Sequence, residues 1–571
     1  MITRQPIPQP YSLLADLGVL TLLTAILYGV VQIAKHWSAP LQEEVAISLS
    51  LWALPGYTLL SLLRGVAAYG ISLAFTLVYG YVAAHRQAAE RVMLPLLDIM
   101  QSIPVLGFLP GAVLALVSLF PRTNVGLELA SILMIFTGQV CNMTLSFYHS
   151  IRSIPSELRE ASSVYQFNWW QHFRRVELPA SAVGLAWNSM MGMAGGWFFL
   201  IVCEAFTLGP QTFRLPGLGA YMSVAIAQRN STAIIAAIIA MVAMIVLVDT
   251  LVWRPVLVWT QKFRLEDTAP TGLPASTVLN WFRRSWVVQA GLTRVAHPIS
   301  EWLAVQRRSS PEQVAFVPAQ TRRWPARVLS WAIGALATGG TLWAAWRLVH
   351  LIAHLPLDQW MRVLLSALLT LLRVSAAVVL GSLWTVPAGI WIGQSDRRRN
   401  LLQPLVQIAA SFPAPMLYPL ILLAMHALGL RLGVGAVILM TLGTQWYILF
   451  NVIAGVSSVP EDIRAVARAY RFTASQRWRR MWWPAVFPYL VTGWIAAAGG
   501  AWNASIVAEY VADGPTVTVT QGLGSLISEA ASGGHYDLLA ASVLTMAALV
   551  IFINRHVWKQ LSHLAETRYA Y

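Results

Sequence analysis

Charged side chains are scarce in this chain. Only 11% of its 571 residues are Asp, Glu, Lys or Arg, while 57% are hydrophobic. A typical soluble domain carries about 25% charged residues, and a large soluble core would need that charge to cover its surface. Because the deficit is spread over long apolar runs, it predicts an all-α, polytopic membrane protein.

Cysteine is nearly absent as well. Cys141 and Cys203 both lie in apolar runs and cannot form a disulfide framework, so we interpret them as small packing residues. No metal site is predicted. His350 and His354 have the i, i+4 spacing of a ligand pair, but no third ligand stands nearby.

Lysine is the rarest charged residue. The chain contains only Lys35, Lys262 and Lys559, and arginine supplies the rest of a net charge of +15. No Gly-Lys pair occurs, which excludes the Gly-Lys-Ser/Thr loop of an ATPase within this chain. A basic balance can indicate nucleic-acid binding or the cytoplasmic loops of a membrane protein. The positions of the arginines favour the loops, so no nucleic-acid partner is expected.

Twelve apolar stretches have the length of about 20 residues that a membrane span needs. They lie at 12–34, 57–84, 92–120, 127–149, 182–204 and 232–253, and again at 328–353, 363–393, 400–427, 433–456, 486–508 and 537–557. This divides the chain into a first half (1–253), a basic cytoplasmic linker (254–327) and a second half (328–571). The first stretch could also be a signal peptide, but its basic flank is a single arginine, and the second half has an equivalent stretch.

Arginine-rich loops alternate with arginine-poor loops along the chain. Cytoplasmic loops accumulate Lys and Arg, so we expect the rich loops, the linker and both chain ends on the cytoplasmic side of the membrane. The linker holds eleven Arg or Lys against four Asp or Glu. Its segment WFRRSWVV (281–288) is interpreted either as an amphipathic helix on anionic lipid or as part of a plain solvated linker.

One polar stretch occurs twice. EASSVYQFNWWQHFRRVELPA (160–180) aligns without a gap on AVARAYRFTASQRWRRMWWPA (465–485), 305 residues further on. The identical pairs are Tyr165/Tyr470, Phe167/Phe472, Gln171/Gln476, Arg174/Arg479, Arg175/Arg480, Pro179/Pro484 and Ala180/Ala485. Two halves in the same topological sense make a parallel repeat, which places a transport path between them.

The repeated stretch is predicted to be a helix that displays aromatic and basic side chains at the cytoplasmic surface. Val164, Phe167, Trp170 and Phe173 recur every three residues. Such a helix suits docking into a groove of a partner protein or lying flat on lipid, and the duplication favours docking. The candidate docking residues are Glu160, Ala161, Tyr165, Phe167, Trp170, Phe173, Arg174 and Arg175 in the segment at about 157–180, and Tyr470, Phe472, Trp478, Arg479 and Arg480 in the segment at about 461–485.

These residues resemble the EAA loop of binding-protein-dependent ABC importer permeases. Glu160–Ser162 take the EAA places, and Leu178–Pro179 close the pattern. The resemblance covers 57–253 and 363–557 and also rests on two Gly-Leu-Gly elements. Within that family the chain is most similar to the nitrate/sulfonate/taurine/bicarbonate branch, here with two permeases in one chain.

The chain departs from the family pattern in two respects. The loop glycine is replaced by Gln166 in one copy and Arg471 in the other, which removes the residue suited to a tight bend. The second copy reads Ala465–Ala467 in the EAA places, with Glu461 and Asp462 just upstream as substitutes for the acid. The lost acid predicts that the two docking sites are not equivalent.

The resemblance implies a transmembrane permease subunit that works by alternating access and is not itself an enzyme. It implies two copies of a separate ABC ATPase, which carry the ATP and Mg²⁺, while this chain holds no cofactor. The branch also implies a periplasmic substrate-binding protein and a small anionic substrate such as nitrate, a sulfonate such as taurine, or bicarbonate.

Four charged residues stand near the outer ends of matched spans. Arg64 and Arg373, 309 residues apart, either attract an anionic substrate or extend to the lipid headgroups. Glu204 and Glu509, 305 residues apart, either pair with these arginines or face a binding protein.

Three further residues are candidates for the transport path. Trp197, Trp502 and Asn503 either line that path or pack in the ordinary way. Four prolines are predicted to break or kink their spans, and broken helices often line a cavity. These prolines are Pro104, Pro110, Pro413 and Pro419.

An ion-driven secondary transporter is the alternative class. It would need paired ionisable residues at mid-membrane, of which the sequence offers few. It would also leave the two basic cytoplasmic segments without a purpose. A membrane enzyme finds no support in a nucleophile, metal cluster or cofactor motif.

Overall fold

The computed structural model describes residues 45–263 and 346–569 except 103, 209–210 and 514–515, together with isolated positions elsewhere. Apart from isolated positions, the predicted span at 12–34, residues 328–345 of the predicted span at 328–353 and most of the linker at 254–327 lie outside the described residues.

The first half consists of helices joined by short loops, with one β-hairpin. The helices are α1 (Leu54–His85), α2 (Gln87–Ser102), α3 (Leu109–Leu119), α4 (Val125–Arg152), α5 (Ser156–Val164), α6 (Trp169–Cys203), α7 (Leu218–Ala227) and α8 (Ser231–Phe263). After α6, strand β1 (Ala205–Leu208) pairs antiparallel with β2 (Gln211–Arg214).

The second half repeats this order element by element. Its helices are α9 (Leu357–Gly393), α10 (Asp396–Ser411), α11 (Tyr418–Ala427), α12 (Leu432–Ser457), α13 (Glu461–Ala469), α14 (Ala474–Ala508), α15 (Leu523–Gly533) and α16 (Tyr536–Arg568). Its hairpin joins β3 (Tyr510–Asp513) to β4 (Thr516–Val519). The parallel repeat predicted from sequence is therefore present in the fold.

Eight of the described helices are long and apolar enough to cross a membrane, or nine if the bent pair α10–α11 counts as one span. The eight match predicted spans. The predictions at 92–120 and 400–427 are corrected, because each stretch is two helices joined by a 3₁₀ turn, at Val105–Phe108 and Ala414–Leu417, and the second bends by 81°.

Proline explains the breaks. Pro104 and Pro413 stand where α2 and α10 have ended, and their rings disfavour a helical residue before them. Their predicted role as helix breakers is confirmed. Pro110 and Pro419 instead stand in the first turns of α3 and α11, where a missing N–H costs no hydrogen bond, so they start helices and do not kink them.

The halves pack on each other reciprocally. The broken span of the first half contacts α14 and α16, and that of the second half contacts α6 and α8. One hydrophobic core contains residues of both halves, among them Trp197 and Trp502. We call the end of the bundle that carries α5 and α13 the coupling end, and the end that carries both hairpins the hairpin end. Helix α6 runs from the coupling end to the hairpin end.

Candidate functional site

Residues 156–177 and 461–482, here the coupling segments, share one local structure. Each is a short helix, a tight turn and a second helix that opens with a capping box, in which Asn168 or Thr473 accepts a hydrogen bond from the backbone N–H three residues on. The single continuous helix predicted over this stretch is therefore wrong. Since α5 ends at Val164 and α6 begins at Trp169, the predicted aromatic face is interrupted by the turn.

The tight bend survives the loss of glycine. Gln166 and Arg471 adopt left-handed φ angles of 50° and 48°. The backbone N–H groups of Phe167 and Phe472 each donate at 3.0 Å to a carbonyl five residues earlier, the bond that defines a Schellman turn. A left-handed conformation costs a side-chain-bearing residue about 1–2 kcal/mol, so both turns are strained at equivalent positions.

Each coupling segment displays an aromatic side chain at its turn. Tyr165 and Tyr470 are 75% and 76% exposed, and Val164 and Val466 beside them are also exposed. The other exposed candidates are Glu160, Ala161, Arg174, Arg175, Trp478, Arg479 and Arg480. Exposed apolar groups clustered with basic ones are typical of an interaction site.

The remaining candidate docking residues are less exposed and pack beneath the exposed ones. Phe167, Trp170, Phe173 and Phe472 are half-buried. The Phe173 ring packs edge-on against Tyr81 of α1, with 5.7 Å between centroids.

The second segment carries its acid one turn earlier than the first. Glu461 precedes Ala465 by four residues, so both lie on one face of α13. Arg468 donates to Glu461 at 2.6 Å. This hydrogen bond and the nearby charges of Arg468 and Arg464 hold the pKa of Glu461 below its usual value.

Sequence reasoning missed two pairs of anchoring residues. Arg159 and Arg464 each donate at 2.9 Å to a backbone carbonyl near the end of the preceding span and so fix the coupling helix to it. Ser61 and Thr370 each accept from a Gly-Leu-Gly backbone N–H at 2.8 Å. The spacings of 305 and 309 relate these pairs too, and extending the repeat comparison could have found them.

At the hairpin end, the predicted ion pairs form and are buried. The Arg64 guanidinium bonds both oxygens of Glu128, at 2.7 and 2.8 Å, and also Glu204. Arg64 is 3% exposed and Glu204 is fully buried. A guanidinium that forks between two carboxylates is a strong, geometrically specific contact.

The second half has a simpler version of this cluster. Arg373 donates to Glu509 at 2.8 Å and to the backbone carbonyl of Gln521 at 2.7 Å. Helix α12, which matches the helix that supplies Glu128, contains no acidic residue. The first cluster thus has two acids for one arginine, while the second has one.

These acids hold the Gly-Leu-Gly elements in place. Glu204 accepts from the backbone N–H of Gly219 at 2.7 Å, and Glu509 from that of Gly524 at 2.8 Å. A Cβ on the first glycine of either element would overlap the same carboxylate. The close approach of backbone and carboxylate explains why glycine occupies these positions.

A cavity of about 820 Å³ lies between the halves and reaches the coupling end. Trp502 and Asn503 line it, and Asn503 also accepts from the backbone N–H of Val105 across the interface at 2.8 Å. That they line the transport path stays a prediction. Its polar lining includes Gln101, Asn142, Gln407, Ser411 and Tyr447.

The other path candidates lie outside this cavity. Arg64, Arg373, Glu204 and Glu509 belong to the buried clusters at the hairpin end. Trp197 is 3% exposed and packs over Gly65 of α1. In this structure these five residues act in packing and ion pairing, and the cavity offers them no contact with a solute.

The chain matches one protein family twice. The model of the binding-protein-dependent transport system inner membrane component fits residues 76–253 and 385–555, which together make up more than half of the chain. The chain therefore belongs to this family, with one copy in each half.

Individual relatives are named as permeases for bicarbonate, nitrate and taurine. The bicarbonate transport system permease protein CmpB of Synechococcus elongatus is 27% identical over 192 residues, which are 34% of this chain and 66% of that protein. The nitrate import permease protein NrtB of Synechocystis is 26% identical over 202 residues, 35% of this chain and 68% of the relative. The taurine transport system permease protein TauC of Escherichia coli is 25% identical over 256 residues, which are 41% of this chain and 88% of that protein.

Proposed function

We propose that this chain is the permease of an ATP-driven importer and supplies both halves of the path for a small anion. The observation that carries the proposal is the duplicated coupling segment, which displays a matched tyrosine and two arginines at the end of the bundle where the cavity opens. The relatives named for bicarbonate, nitrate and taurine support an oxyanion-bearing solute.

Two copies of a separate ATPase would dock on α5 and α13, one on each coupling segment. The chain has no Gly-Lys pair for a phosphate-binding loop, so ATP and Mg²⁺ would bind to the partner. Closure of the two ATPases would shift the bundle between inward-open and outward-open populations.

We place the coupling end and both chain ends in the cytoplasm of a bacterium, with the bundle in the inner membrane. Arginine-rich loops support this orientation. A periplasmic substrate-binding protein would then meet the hairpin end. An ion-driven cycle is not favoured, because the family works in binding-protein-dependent systems.

Native mass spectrometry of the purified complex tests the proposal. We expect two ATPases per permease chain for the wild type and none after Arg174, Arg175, Arg479 and Arg480 are all changed to Glu. The control reverses Arg122 and Arg431, exposed arginines at the hairpin end, and should leave both ATPases bound. Absence of any bound ATPase in the wild type, with transport surviving ATP depletion, would overturn the proposal.

A further inference from the structure

The cavity between the halves has an uneven charge. Of the described side chains that line it, only Arg555 and Lys559 are charged, and both are cationic. They lie one turn apart near the coupling end of α16, where the neighbouring lining residues are Asn554, Trp558 and Ser562. The rest of the lining is neutral, with amides and hydroxyls deeper in the cavity.

The matching turn of the first half is electrically balanced. At the spacing of 305, Asp249 corresponds to Asn554 and Arg254 to Lys559, while a threonine stands in place of Arg555. Asp249 accepts from Arg254 Nε at 2.9 Å, so the two charges cancel. In the second half the acid has become an amide, and no ion pair of Lys559 or Arg555 is formed among the described residues.

This difference concentrates charge on one side of the path. The turn in the first half carries a net charge of zero, and the turn in the second half carries +2 with His556 neutral. A cleft lined by one sign of charge focuses the field and raises the local concentration of oppositely charged solutes. The planar Arg555 guanidinium also suits two oxygens of one oxyanion at once.

We propose that Arg555 and Lys559 form an oxyanion-binding site at the inner mouth of the cavity, which draws the transported anion from the neutral midsection toward release. This inference rests on the proposed function and adds to it an anion-binding site that one half contributes. Only the second half supplies the site, because Asp249 and Arg254 of the first half pair with each other and do not line the cavity.

Reconstituted import tests the site. Wild-type permease with its ATPase and binding protein is placed in proteoliposomes, and uptake of nitrate, taurine and bicarbonate is measured at sub-saturating concentration beside ATP hydrolysis. We expect Arg555→Gln with Lys559→Gln to slow uptake about 10-fold, within the range that electrostatic steering supplies. Raising the ionic strength should slow the wild type toward the variant, because salt screens the attraction.

Three matched variants separate the site from general basicity and from folding. Asn554→Asp recreates the acid of the first half beside Lys559 and should give an intermediate loss. Arg254→Gln removes an exposed cation outside the cavity lining and should import like the wild type. Arg555→Lys with Lys559→Arg keeps both charges and should restore most of the uptake. Unchanged ATPase stoichiometry in native mass spectra checks folding.

Three results would overturn the inference. Equal uptake by the wild type and the double glutamine variant would rule out the oxyanion-binding site and leave the proposed function standing. A deficit that appears only when phosphatidylglycerol is added to phosphatidylcholine vesicles assigns the two cations to lipid headgroups. If the wild type imports none of the three solutes, the proposed function fails and the site fails with it.

Discussion

Arg64 and Arg373 each neutralise buried carboxylates, so removing either arginine should lower the stability of the fold. Replacing Arg64 by Gln would leave Glu128 and Glu204 buried together without a cation, and breaking a buried pair destabilises by about 3–5 kcal/mol. Replacing Arg373 by Gln strands only Glu509, and Arg373 itself is more accessible. We therefore expect the Tm in detergent to fall further for Arg64→Gln than for Arg373→Gln.

The buried Cys203 offers the readout. Its thiol is fully buried, so labelling by a thiol-reactive dye reports unfolding once the cavity-lining Cys141 is changed to Ala in every protein compared. As a control, Glu128→Gln should lower the Tm less than Glu204→Gln. Either change leaves Arg64 with one acid, but Glu204 also accepts hydrogen bonds from Ser61 and from the backbone N–H of Gly219. Equal Tm losses for the two arginine variants would mean that the second acid adds nothing to the cost.

The turn in each coupling segment holds a side-chain-bearing residue in a left-handed conformation. Gln166→Gly and Arg471→Gly relieve a left-handed φ, so we expect each turn to be more stable by about 1 kcal/mol. Hydrogen exchange of the Phe167 and Phe472 amides, which close the turns, should slow accordingly. Ser163→Gly is the matched control, since the same change inside α5 should speed exchange. Unchanged exchange in the Gln166 and Arg471 variants would contradict the strain.

The sequence predicts the long helices better than the turns that connect helices. Apolar runs revealed the eight long spans, because burial in lipid demands an unbroken helix. The breaks after α2 and α10 were predicted from Pro104 and Pro413. The coupling turns were not, because the period-three spacing of aromatic residues continues through the bend at Gln166, and nothing in a glutamine announces a left-handed φ.

The site was predictable where function depends on exposed or paired residues. The spacing of 305 identified Tyr165 and Tyr470, and charge complementarity identified Glu204 as a partner of Arg64. The second acid on Arg64 was not predicted, because no counterpart exists in the other half to mark it. Cavity residues such as Gln407 come together only through packing between distant helices, and spacing within one helix carries no sign of them.

On the scale of the whole molecule, the reciprocal packing predicts how the halves depend on each other. Since each broken span rests on helices of the opposite half, and one core is shared, neither half buries its own apolar interface. We expect the chain, divided within 264–345 and co-expressed as two pieces, to purify as a complex. Either piece expressed alone should aggregate, as seen by size-exclusion chromatography. A monodisperse single half would contradict this expectation.

The exchange of Asp249 for Asn554 carries a genetic consequence. In a permease assembled from two identical subunits, one codon change alters both walls of the path together. An added charge then appears twice, or a lost pair disappears twice. In this chain each half has its own codons, so one half can carry an amide at a position where the other half keeps an acid and its ion pair. Such a gene can vary one side of the pore and keep the other.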